Sequence, residues 1–167
     1  MIGLIDADHI PYIVCYNKIG EPEKTLEDAI KQANNYLQGL LNGANVEEFI
    51  LFFTIGTNFR YQIYPEYKAN RDKLETPELV FTCKEYLDKT WGAEYIQSYE
   101  ADDALAWNQT SKTIICTIDK DLDMVPGIHY NFITFKSYAV TELEGLQFFY
   151  KQMLIGDTAD NIKGVFR

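Results

Sequence analysis

Tyr99-Glu100-Ala101-Asp102-Asp103-Ala104-Leu105-Ala106 places three carboxylates within four residues. Upstream, Ala93-Glu94-Tyr95-Ile96-Gln97 alternates as a half-buried strand does; downstream, Ala101 to Trp107 is rich in helix formers. The acids therefore stand at a strand-to-helix junction. Ser98 is the expected N-cap, which sets them in or just before the first turn. There the helix dipole favours negative charge by about 0.3–1 kcal/mol each. Three like charges this close still repel, which raises some of their pKa values or calls for a cation. On an ideal helix Glu100 and Asp103 share a face while Asp102 points elsewhere, so all three converge only if the run straddles the helix start. Alone, the run reads equally well as an acidic, solvated first turn. Acids elsewhere in the chain decide the matter.

On the N-terminal side, Ile2-Gly3-Leu4-Ile5 is a short buried strand ending at Asp6, with Asp8 and His9 following. Thr25 caps a helix through about Leu41, with Asp28 in the capping-box position and Gly43 as the stop. Phe49 to Thr54 is an apolar strand of the kind buried on both faces. Thr76-Pro77-Glu78 reads as a helix start, Thr as N-cap and Pro at N1, with that helix ending at Gly92. On the C-terminal side, Thr113 to Ile118 is another buried strand, delivering Asp119 and Asp121 just past its end; Asp123 is nearby. Ile128 to Phe135 reads as one more strand. Thr141 caps a last helix through about Leu154, which runs into Gly156-Asp157-Thr158-Ala159-Asp160.

Strands thus alternate with helices, and acids repeatedly follow strand ends. In a parallel sheet those ends share one edge, where open α/β sheets place ligand groups. The pattern predicts an α/β fold, mainly parallel, with a carboxylate cluster of Asp6, Glu100, Asp102, Asp103, Asp119 and Asp121. Asp157 and Asp160 join it from the end of the last helix. Oxygen ligands without His or Cys suit Mg²⁺ or Mn²⁺. Two such ions suit phosphodiester hydrolysis, one activating water and the other steadying the leaving oxygen.

Residues 56 to 75 carry Arg60, Lys68, Arg71 and Lys73 interleaved with Phe59, Tyr61, Tyr64 and Tyr67. Lys68 and Arg71, three apart, are expected on one helical face beside Tyr64 and Tyr67. Cations next to aromatic rings can hold a phosphate and stack a base. The plainer reading is an amphipathic surface segment.

Composition sets the limits. The 167 residues suit one domain, and 47% hydrophobic with 14% aromatic residues excludes a disordered chain. Three scattered cysteines lack C-x-x-C pairing, so buried free thiols are expected rather than disulfides or zinc. No apolar run approaches the ~20 residues of a membrane span, and a cytoplasmic protein without a membrane partner is expected. The net charge of −10 argues against nucleic acid unless the acids gather at a metal site and the bases line one channel. Distribution matters more than the total.

Five stretches together resemble the 5′ nuclease family: bacterial and bacteriophage 5′–3′ exonucleases, polymerase I nuclease domains and flap endonucleases. They are Leu4-Ile5-Asp6-Ala7-Asp8, Tyr67-Lys68-Ala69-Asn70-Arg71, Tyr99-Glu100-Ala101-Asp102-Asp103, Thr117-Ile118-Asp119-Lys120-Asp121-Leu122 and Gly156-Asp157-Thr158-Ala159-Asp160-Asn161-Ile162-Lys163-Gly164-Val165. They follow the family's order and span essentially the whole chain. The resemblance implies a PIN-like α/β fold and Mg²⁺-dependent hydrolysis of DNA, sometimes RNA, near a free 5′ end or flap, by a monomer. It places Asp6, Glu100, Asp102 and Asp103 on one side of a two-metal site, and Asp119, Asp121, Asp157 and Asp160 on the other. Asp6, Lys68 and Arg71 become the catalytic set. Lys68 and Arg71 contact phosphates from a helical gateway, with Tyr67 beside them.

Two departures stand out. The family usually has an acid at the end of its second strand, where Phe52-Phe53-Thr54-Ile55-Gly56 offers none. The family also continues past Gly-Val into a helix–hairpin–helix region. Residues 1–167 are accordingly read as the N-terminal catalytic domain, a fragment or a minimal version. Two rivals remain. Asp6-x-Asp8 and Gly156-Asp157 with Asp160 imitate a haloacid-dehalogenase-type phosphatase, which leaves Tyr67 to Arg71 and the Glu100 group unexplained. A catalytically weak nucleic-acid-binding protein on a nuclease fold fits the absent acid.

Overall fold

Three apolar runs of the chain lie side by side at the centre of a six-stranded sheet. They are β1 (Ile2–Asp6), β2 (Glu48–Phe52) and β4 (Thr113–Cys116), with β1 in the middle and all three parallel. The computed structural model describes residues 1–16, 24–71 and 76–165. Beyond β2 lies the two-residue β3 (Ala93–Glu94), and beyond β4 lie β5 (Gly127–Asn131) and β6 (Lys136–Val140), giving the order β3-β2-β1-β4-β5-β6. Only the β5–β6 pairing in this sheet is antiparallel. The strand order reverses between β1 and β4, which is where open sheets of this kind place their sites.

Side chains alternate between two buried faces. Leu4, Phe52 and Ile115 pack against Ala101, Ala104 and Leu105 of α5 (Ala101–Asn108). Ile5, Leu51, Ile114 and Cys116 face the other way, onto α1 (His9–Cys15), α2 (Leu26–Ala44) and α4 (Glu78–Trp91). Each such aliphatic or aromatic side chain contributes roughly 1.5–3 kcal/mol on burial. The remaining helices are α3 (Arg60–Ile63) and α6 (Glu142–Ile155), and a separate hairpin joins β7 (Gly156–Asp157) to β8 (Ile162–Lys163). All three cysteines are free and buried. No helix among the described residues is long and apolar enough to cross a membrane.

The expected α/β architecture is present, with several local differences. Thr25 caps α2 through a full capping box, but the helix runs past Gly43 to a left-handed Asn45. Gly43 serves packing instead: a Cβ there would lie 2.0 Å from the Tyr130 hydroxyl. Ser98 has a positive φ of 69° and caps nothing; Glu100 is the N-cap of α5. Pro77, not Thr76, occupies the N-cap of α4, without a side-chain bond. The strand expected from Ile128 to Phe135 ends at Asn131, whose side-chain oxygen accepts from the N–H groups of Ile133 and Thr134 and turns the chain back into β6.

Candidate active site

Parallel pairing brings the carboxyl ends of β1 and β4 together, and with them the first acids. Asp6 closes β1 and is almost wholly buried. The Thr117 hydroxyl, just past β4, donates to Asp6 Oδ2 at 2.8 Å and accepts from Asp119 N at 3.0 Å. Asp119 Oδ1 in turn accepts from Asp121 N at 2.8 Å, capping a 3₁₀ turn over Lys120–Met124. The loop after β3 delivers the start of α5, beside Thr54 just past the end of β2. There the Asp103 carboxylate accepts from Glu100 N at 3.0 Å, Asp103 N donates to the Glu100 carbonyl, and Asp102 is left facing Asp6 and Asp119. The acid run does straddle the helix start.

Asp6, Asp8, Glu100, Asp102, Asp119, Asp121 and Asp160 line one cleft of about 710 Å³. Asp103 and Asp157 open instead into an adjoining cavity of about 330 Å³, which shares Glu100, Asp102, Asp121 and Asp160 with the first. The mutual repulsion expected of these acids is visible in their electrostatics. Burial, reinforced by the charges of Asp6, Asp119 and Glu100, holds the Asp102 carboxyl well above the ordinary carboxylate range. Burial and the charge of Asp119, with a hydrogen bond to Asp157, push Asp121 up to about 6. His9 lies 3.1 Å from Asp6 Oδ2. Burial pulls its pKa down, but the bond to Asp6 and the surrounding acids outweigh it and raise it to about 9.

Cations are threaded among these acids. Lys68 Nζ donates to Glu100 Oε1 at 2.6 Å and lies 3.8 Å from Asp160 Oδ1; Arg71 donates to the same Asp160 oxygen at 2.8 Å. The expected shared helical face does not form. Lys68 has a left-handed φ of 55°, and only Ala69–Arg71 makes a turn of 3₁₀ helix. The two cations meet through Asp160, not through helical spacing. Tyr67 is buried, its hydroxyl 2.8 Å from Glu100 Oε2 and 2.9 Å from Asp160 Oδ2, able to donate to one at a time. Lys73 falls outside the described residues.

Asp103 behaves differently from its neighbours. Both its oxygens accept from Arg60 at 2.7 Å, a bidentate pair. Burial would raise its pKa, but Arg60 and the N–H of Glu100 win and lower it. Arg60 was not among the expected site residues, nor were Asn58, which donates to Glu100 Oε1 at 2.8 Å, and Lys84, which donates to Asp8 Oδ1 at 2.8 Å. Arg60 lies in the same basic run as Lys68; Lys84 and Asn58 carry no signal in the sequence beyond their charge or polarity. Thr54 lines the cleft, but its hydroxyl accepts from Ala101 N at 2.9 Å, at the start of α5.

The donor set is all carboxylate oxygen, and burial with crowding by like charges is what raises Asp102, so the set suits a hard divalent cation. Among the described residues no three ligating side chains already stand close enough to hold one. Lys68, Arg71 and His9 pair with Glu100, Asp160 and Asp6.

Comparison with known proteins agrees with this architecture. A family model described as the 5′-3′ exonuclease, N-terminal resolvase-like domain, matches residues 1–145. The thermostable DNA polymerase I of Thermus caldophilus is 25% identical over 185 residues, covering 97% of this chain. The chain spans only 22% of that relative's length. Among solved structures, the flap endonuclease of bacteriophage T5, in a pseudo-enzyme-product complex with DNA and metal ions, superposes with a TM-score of 0.75. Identity is 20%, over 98% of this chain and 69% of that one. The T5 5′-exonuclease with bound zinc gives 0.74 at 21% identity, with the same coverage. At these identities the likeness carries the fold.

Proposed function

Because the chain belongs to the 5′-3′ exonuclease family, whose N-terminal domain model it matches over residues 1–145, we propose that it hydrolyses phosphodiester bonds near the 5′ end of a DNA strand. The observation that carries this reading is one cleft lined by seven carboxylates and by Lys68, Arg71 and Lys84. Acids in that number need a cation, and cations beside them need an anionic ligand.

Asp6, Glu100 and Asp102 would hold one divalent ion, and Asp119, Asp121, Asp157 and Asp160 a second, with Mg²⁺ or Mn²⁺ the matching hard ions. Bound there, such ions supply an activated water and neutralise the leaving oxygen. The chain's own residues do the rest. Thr117 and His9 fix the Asp6 carboxylate, and Tyr67 holds Glu100 and Asp160 at a set separation. Asp103, committed to Arg60 and to the Glu100 backbone, positions Glu100 instead of ligating. Lys68 and Arg71 exchange their carboxylate partners for phosphate oxygens. Lys68 then opposes the charge that develops on the reacting phosphate, where a fixed cation lowers the barrier most.

The test is incubation of 5′-labelled flap, duplex and single-stranded DNA, and of matching RNA, with Mg²⁺, Mn²⁺ or EDTA. Cleavage that needs Mg²⁺ or Mn²⁺, with a melting temperature raised by the same ions, is the expected result. Full cutting in EDTA or zinc-specific activity overturns the metal assignment. DNA binding without turnover in either ion would leave a binding protein on a nuclease fold.

A further inference from the structure

Helix α4 presents two side chains to the cleft, Phe81 and Lys84. Its buried stripe is Val80, Cys83 and Leu87. Phe81 stands off that stripe, 60% exposed, and lines the cleft together with Asp6 and Lys68. Burying such a ring is favourable, so leaving it over a charged cleft forgoes stability for the chain alone.

One turn on, Lys84 enters the same cleft. Its ammonium donates to Asp8 Oδ1 at 2.8 Å and to the Thr54 carbonyl at 2.5 Å, and it sits 4.7 Å from the centre of the Phe53 ring. An ammonium has three N–H donors, so one remains for a ligand. Asp8 does not depend on it, because both its oxygens also accept from Thr54 N, at 3.0 and 3.2 Å. The Lys84 side chain is 28% exposed, so solvent and ligands can reach it. Residues three apart on a helix are neighbours, with Cβ atoms about 5–6 Å apart. A ring and a cation are thus paired on one helical face. Lys68 and Arg71 flank the carboxylates from the Asp160 side, and Lys84 from the Asp8 side.

We propose that α4 carries a nucleotide subsite: Lys84 takes a phosphate of the DNA strand and Phe81 takes the adjoining base or sugar. The subsite rests on the nuclease reading and extends it, since it gives the strand a path across the carboxylates from Lys68 and Arg71 to α4.

Anisotropy of a 5′-labelled single-stranded oligonucleotide, titrated with the full chain in Ca²⁺ over a salt series, tests it. Lys84→Ala should weaken binding several-fold and reduce the slope of log K against log salt by about 0.7, the value for one phosphate contact on a single strand. Lys84→Arg should restore the slope, which a clamp between Asp8 and Thr54 would not predict. Phe81→Ala should weaken binding about fivefold or more while leaving the slope unchanged, and Phe81→Trp should recover it. Phe81 is exposed, so its variants report even if Lys84→Ala lowers the melting temperature. An unchanged slope in Lys84→Ala, or wild-type affinity in Phe81→Ala, overturns the subsite while wild-type binding and cleavage keep the nuclease reading. Absence of salt-dependent binding by the wild type overturns both.

Discussion

Arg60 and Asp103 show how a single pairing redirects a residue. Spacing alone puts Asp103 with the other acids of its run, yet two 2.7 Å bonds commit it to Arg60. Removing one partner of a buried pair costs about 3–5 kcal/mol. Here the side chains are 28% and 18% exposed, and the loss discounts to about 1–3 kcal/mol. Arg60→Ala should therefore lower the melting temperature by several degrees, and Asp103→Asn by less, with the Mg²⁺ needed for half-activity unchanged in Asp103→Asn. A large shift in that Mg²⁺ requirement would return Asp103 to the ligands. Thr54 is the complementary case, a neutral residue where an acid is expected. Thr54→Asp should move activation to lower Mg²⁺. The new carboxylate joins Asp8 and the other acids of the cleft, so metal-free melting should fall, although Ala101 N and Lys84 adjoin the position and limit the loss. Rate against Mg²⁺ for both proteins, with melting alongside, measures this. If the activation curve stays put, residue 54 does not serve the ions.

At the scale of elements, what could be read in the chain was what local rules govern. The strands at Ile2, Phe49 and Thr113, and the caps at Thr25 and Thr141, follow from apolar runs and short-range bonds, and both caps form, each as a full capping box. Elements set by tertiary partners were not legible. The β5–β6 turn has no Gly or Pro, and Asn131 makes it by side-chain bonds. Gly43 looked like a helix end because its real constraint, the Tyr130 ring, lies 87 residues away in sequence. Gly43→Ala gains about 1 kcal/mol of helix propensity but drives a methyl into that ring, an overpacking typically worth 1–3 kcal/mol. The variant should melt lower than the wild type. The Tyr130 hydroxyl is buried without a hydrogen-bond partner among the described residues, so Tyr130→Phe should be neutral or stabilising and should rescue Gly43→Ala in part, the ring carbon at 2.8 Å remaining. A rescue that fails would place the strain elsewhere. The α2 cap has its own pH signature. Bonds from the Thr25 hydroxyl and backbone N–H hold the Asp28 carboxyl below its ordinary value. Its stabilisation is complete above the unfolded value near 3.9 and is lost as pH falls through the lowered folded one. Acid melting of Asp28→Asn against the wild type should show less loss between about pH 4 and 2. Parallel curves would mean that the cap is idle.

Across the whole molecule, a net charge of −10 says little about the cleft, because charge is sorted by place and Lys68, Arg71 and Lys84 stand among the acids there. Most of the expected carboxylates were legible as acids after strand ends, since parallel pairing carries those ends to one edge. Lys84 and Asn58 were not, since only the packing of α4 and of the loop after β2 brings them there. The two ends of the acid set are not built alike. Asp6 and Asp119 grow from the central sheet, whereas Asp157 and Asp160 sit on the β7–β8 hairpin. That hairpin is fastened largely by polar bonds: Lys68 N to Asp160 O, Asn70 to Thr158 O, Arg71 to Ala159 O and Asn161 to Glu66 O. Regions held this way open on their own, well below the free energy of global unfolding. Amide deuterium exchange should therefore run fast at Asn161 and Val165 while Ile5 and Ile115 exchange only when the whole sheet melts. Mg²⁺ should slow the first group selectively, because an ion that draws acids from both parts makes opening of the hairpin cost its binding energy as well. Uniform protection with and without the ion would mean that hairpin and sheet unfold together. With the expected pattern, the cation acts as a latch that ties the hairpin to the sheet.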